Sequence, residues 1–186
     1  MLPGVSHKKP ILAKIAGILW CVWAVFDFVS AGFAIRDFGR GALNYIEMSG
    51  DKDHEVGEML DNLSAIRLAV NLVGGCIFLV AGVRSLSGAT RSVSTYGWVT
   101  LVLVVAYLGC TLYAASVVIE IGSRSSIVMG GAAVHAAFYG ETTLVYYYWL
   151  RWGLLVTSGV TLTAVLALTS NRGYTRWWQS KPGNTF

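Results

Sequence analysis

Few residues in this sequence could carry chemistry, and the most telling of them sit inside apolar runs. Asp27 lies in the first run, Arg67 and Asn71 in the second, Tyr113 and Glu120 in the third, and Arg151 in the fourth. An ionisable side chain in hydrocarbon costs on the order of 2.5–3.5 kcal/mol, so such groups turn toward protein and take a partner. At about 1.5 Å per helical residue, Asp27 stands about 20 Å above Lys14, and Arg67 about 25 Å above Arg84 on a helix running the other way. The two can therefore meet in the outer half of an antiparallel pair. Asp27, Arg67, Asn71, Tyr113, Glu120 and Arg151 form the candidate binding cluster. Two acids and two arginines cancel, which suits a structural ion-pair network and not an ion-selective pore. The same acid and arginine could instead exchange partners with a charged substrate.

A second constellation is His54, Glu58 and Asp61, spaced i, i+4 and i+7. On a helix this puts an imidazole and two carboxylates on one face, a set able to hold a divalent ion. The simpler reading is a solvated helix start, where acids favour the positive end of the helix dipole. The acidic run also lacks the glycine and the terminal glutamate of an EF-hand loop. We expect no metal. Cys21, Cys76 and Cys110 are isolated, one per span, with no CxxC pair, and behave as small apolar residues. No histidine falls in a span, which argues against a haem bundle, and nucleotide-binding, zinc-protease and serine-hydrolase motifs are absent. The expectation is a non-enzymatic protein without a cofactor. A membrane enzyme using His54, Glu58 or His135 would have to show a metal-dependent activity lost in His54→Ala.

The elements that position these residues follow from composition. Of 186 residues, 55% are hydrophobic and only 13% charged, outside the range of soluble domains. Four runs reach the length of about 20 residues that crosses a bilayer core. They are Ile11–Ile35 and, by number, 63–83, 98–121 and 144–169. The fold class is all-α integral membrane: a four-transmembrane-helix bundle forming a single membrane domain over 1–186, with outer loops 36–62 and 122–143 and a tail 170–186. Phe38, Ala42, Tyr45 and Ile46 recur at helical spacing, which predicts a flat interfacial helix in the first outer loop. Residues 126–140 are read as interfacial or re-entrant, being short for a span, with His135 a packing residue. Trp177 and Trp178 are placed in a tail lying along the headgroups.

Charge sets orientation. Lys8, Lys9 and Lys14, then Arg84 and Arg91, then Arg172, Arg176 and Lys181 flank the same ends of the spans, while every acid except Asp27 falls on the other side. Both termini are therefore expected to be cytoplasmic, in the cell (inner) membrane. The basic residues are split among short stretches with no binding module between them, so no nucleic acid is expected. Rows of small residues support close packing: Ala13, Gly17 and Cys21; Ala106, Cys110 and Ala114; Gly153, Thr157 and Thr161; Gly159, Thr163 and Ala167. The last row is the expected face for other membrane subunits or a second copy. In outline, four spans with a large first outer loop resemble claudins and tetraspanins in topology alone, since the outer loops here hold no cysteine for the disulfides of those families. The function expected is a structural or accessory subunit of a membrane assembly. The alternative is a small transporter or channel with an intramembrane Asp27/Arg67 site.

Overall fold

Pro10 and Gly88 show how local chemistry bounds the helices. Pro10 precedes the first helix and accepts its first backbone bond from the Lys14 N–H at 3.2 Å. Gly88 ends the second helix at φ 73°, a left-handed conformation that side chains disfavour, and the Ala89 N–H closes back on the Arg84 carbonyl at 3.0 Å. A computed structural model describes residues 9–37, 54–128 and 132–181. Among them the regular elements are four helices: α1 (Ile11–Asp37), α2 (His54–Ser87), α3 (Ser94–Val128) and α4 (Ala132–Gln179). Each is long and apolar enough to cross a membrane, and no strand occurs among the described residues. The chain is thus an all-α, multi-pass membrane protein.

The second helix begins well before its apolar run, at His54, in keeping with the solvated helix start read from His54, Glu58 and Asp61, and its 34 residues reach about 51 Å, longer than a bilayer core. One expected helix end moves. The fourth does not stop near Thr169 but continues to Gln179 as part of a 48-residue helix. Residues 132–140, read as interfacial or re-entrant, are the start of that same helix. The flat helix of the first outer loop, at Phe38, Ala42, Tyr45 and Ile46, lies outside the described residues.

Packing divides the chain into two units. The first comprises Met1–Val29, Asn71–Val105 and Ser158–Phe186, and the second Ser30–Val70 and Ala106–Thr157. Within the first, α1 and α2 run antiparallel in a fixed register: Gly17 lies against Leu86, Cys21 against Gly82, and Phe28 against Gly75. At Gly82 the two backbones approach closely, since a Cβ there would meet the Cys21 sulfur at 2.5 Å and the Gly17 carbonyl at 3.0 Å. Such approach is what rows of small residues permit in membrane bundles. The α4 helix also runs antiparallel to α1, with Gly173 beside Pro10 and Gly159 under the Trp23 ring. Trp20, Phe78, Thr100, Val160, Thr163 and Tyr174 are buried at the centre. Ile18, Val22, Val80, Val83, Val102 and Leu162 are exposed on the outside, as helix surfaces solvated by lipid tails require.

In the second unit α3 and α4 are antiparallel, Gly153 facing Thr111. The buried row of α3 there is Tyr107, Ala114 and Val117, whereas Ala106, placed on a packing row by its spacing, is exposed. When a helix is apolar all round, spacing alone cannot distinguish its protein face from its lipid face.

Candidate functional site

Along α1 the stripe Trp20, Ala24, Asp27 and Ala31 is buried, at the helical spacing that put these residues on one face. Asp27 is 1% exposed and its Cβ packs beside Gly75 in the first unit. Asn71 is buried in the same unit. Arg67 and Tyr113 are half-buried in the second unit, where the Arg67 charge reaches Cys110. Glu120 and Arg151 fall on α3 and α4, and their side chains lie outside the described residues, as do those of His54 and His135. On α2, Glu58 is exposed and Asp61 half-buried.

Below the Asp27 level, toward Lys14, the polar interior of the first unit is built from two matching relays. The Trp20 indole N–H donates to the Thr100 hydroxyl at 3.0 Å, and that hydroxyl donates to the Tyr96 carbonyl one turn back on α3 at 2.6 Å. Likewise the Trp23 indole donates to Thr163 at 3.0 Å, and Thr163 donates to the Gly159 carbonyl at 2.9 Å on α4. Threonine serves this role because its hydroxyl can return a proton to its own helix while accepting from another. One helix is thereby tied to two neighbours with both indoles satisfied. The small row Gly159, Thr163 and Ala167 is accordingly used inside the chain: Gly159 and Thr163 meet Trp23, and Ala167 is fully buried.

A cluster that the sequence reading missed lies at the loop between α2 and α3. The Asn171 side-chain oxygen accepts from the Ser92 hydroxyl at 2.7 Å and from the Val93 and Ser94 N–H groups at 3.2 Å each. It thus caps the start of α3 from the C-terminal part of α4, satisfying donors that a helix N-terminus leaves open. Three residues on, the Tyr174 hydroxyl reaches the Thr90 carbonyl at 3.2 Å and the Ser85 carbonyl at 3.4 Å. One turn further the Trp178 indole donates to the Gly88 carbonyl at 3.2 Å. Lys9 donates to the carbonyls of Ser85 and Leu86, placing a cation at the negative end of α2.

Two ammonium groups share one ring here. Lys9 stands 5.0 Å and Lys181 4.4 Å from the Trp177 ring centre, and Lys9 is also 5.5 Å from that of Tyr174. Burial, with Lys181 and Lys14 nearby, brings the Lys9 ammonium down to about 8 from 10.5. The signal for this cluster was the spacing of Asn171, Tyr174, Trp178 and Lys181 at steps of three and four, which continues the α4 face past Thr169.

Comparison with protein-family models, curated proteins and solved structures finds no match.

Proposed function

We propose that this chain is a non-enzymatic structural or accessory subunit of a membrane assembly, seated in the cell membrane with both termini cytoplasmic. The observation that carries this reading is the pair of indole–threonine relays. Polar groups in the core of the first unit are spent on fixing α1 against α3 and α4, and large rings fill the space between them. Interhelical hydrogen bonds of this kind contribute about 0.6–2 kcal/mol each and hold register. A rigid bundle suits a scaffold better than a carrier that must rearrange. With the row Gly159, Thr163 and Ala167 used internally, the contact offered to another subunit or second copy shifts to the exposed side of α4 at Leu162, Val165 and Thr169.

The test is native mass spectrometry of the full chain released from its own membrane in mild detergent. A fixed stoichiometry with other subunits, or a closed homo-oligomer broken by Leu162→Trp, is the expected result. A monomer under all mild conditions overturns the reading.

One observation favours a second reading, a small transporter or channel. Asp27 is an acid buried within a span, and such residues often mark ion or substrate paths.

A further inference from the structure

The basic residues of the first unit have no acidic counterweight of their own. It holds Lys8, Lys9, Lys14, Arg84, Arg91, Arg172, Arg176 and Lys181, and its one acid, Asp27, stands about 20 Å along α1 from Lys14. Most of these cations are exposed and need no partner beyond water. Lys9 and Lys181 differ, because both ammonium groups are drawn to one indole ring in a partly buried place. The neighbours acting on Lys9 are Lys181 and Lys14, all of one sign. Carbonyls of α2 and aromatic faces soften that repulsion without cancelling it. A site that gathers positive charge beside two tryptophans at the end of a membrane helix is complementary to an anion held at the bilayer interface.

We propose that Lys9 and Lys181, which share the Trp177 ring, together with Lys14 near Lys9, bind the phosphodiester of an anionic glycerophospholipid from the adjoining leaflet. The phosphate takes charge-assisted hydrogen bonds from the ammonium groups, and Trp177 and Trp178 lie at headgroup depth beside the upper acyl chain. A lipid is the fitting occupant because the cluster sits where the spans end: Ile11 opens the first candidate span and Gln179 closes the fourth. The bound headgroup adds to the clamp on the α2–α3 loop, since Lys9 is already docked on the Ser85 and Leu86 carbonyls.

The experiment uses the full chain in nanodiscs of phosphatidylcholine with or without phosphatidylglycerol, followed by native mass spectrometry of retained lipid. The wild type is expected to retain phosphatidylglycerol in preference to phosphatidylcholine. Lys9→Gln/Lys181→Gln should weaken that retention about thirtyfold, at about 1 kcal/mol per lysine. Arg91→Gln/Arg172→Gln, which removes the same charge from exposed positions outside the Trp177 cluster, should retain the lipid. Melting in phosphatidylcholine alone checks that both variants fold. Should the lysine variant fail to fold, the wild type decides: its gain in melting temperature from phosphatidylglycerol should shrink as pH rises through about 8 and Lys9 loses its charge. Equal loss in both variants, no lipid preference, a gain insensitive to pH, or displacement of the lipid by inorganic phosphate each overturns the proposal.

Discussion

At the scale of single residues, Lys9 shows how a surface cation becomes a conditional one. Its ammonium is partly buried against Tyr174 and Trp177, with Lys181 and Lys14 as the charges acting on it, so the folded chain holds its proton less tightly than the unfolded chain does. Between about 8 and 10.5 the unfolded state then binds more protons. Stability must rise with pH across that window, and the full penalty is present below it. Melting in nanodiscs of neutral lipid should show the rise in the wild type. The Lys9→Gln variant should lack that component. Parallel profiles for the two proteins would mean that Lys9 is solvated like an ordinary lysine. Nothing in the sequence around Lys9 marked it, since its setting arises from rings some 165 residues or more away, at Tyr174 and Trp177.

Among the elements, α4 departs most from its expected extent, and Asn171 explains why. An amide followed by Arg172 and Gly173 resembles the end of a span when water is the assumed partner for its polar groups. Its side chain is instead a cap for α3, so the polarity is used inside the protein and the helix runs on to Gln179. Asn171→Ala should therefore leave α4 helical and loosen a different element. The expected cost is about 1–2 kcal/mol, in the range of lost N-caps. Hydrogen exchange should quicken at Val93 and Ser94 before it does along α4. Faster exchange confined to residues 171–179 would show that Asn171 supports its own helix instead. The α1 face was readable because Trp20, Ala24, Asp27 and Ala31 mix aromatic, small and charged types at helical spacing. On α3, where both faces are apolar, the buried Tyr107 and the exposed Ala106 could not be told apart by type.

For the molecule as a whole, the distribution of charge was legible and the purpose of the buried acid was not. All acids except Asp27 belong to the second unit, and eight of the fourteen basic residues belong to the first, an asymmetry that counting alone reveals. Residue type could mark Asp27 as exceptional, but type does not distinguish a carboxylate that holds helices from one that passes a proton or an ion. Asp27→Asn separates the roles because it keeps the shape and removes the charge. Under the subunit reading, wild-type and variant proteoliposomes both leak protons and ions at the rate of empty vesicles, and the variant loses about 1–3 kcal/mol of stability as a buried polar contact weakens. Its yield in the assembly falls with its melting temperature. Under the transporter reading the wild type conducts, the variant does not, and the loss persists at temperatures where both are folded. Measuring flux and melting on the same preparations is therefore decisive: flux that disappears without a change in melting temperature assigns Asp27 to a transport path and sets the subunit reading aside.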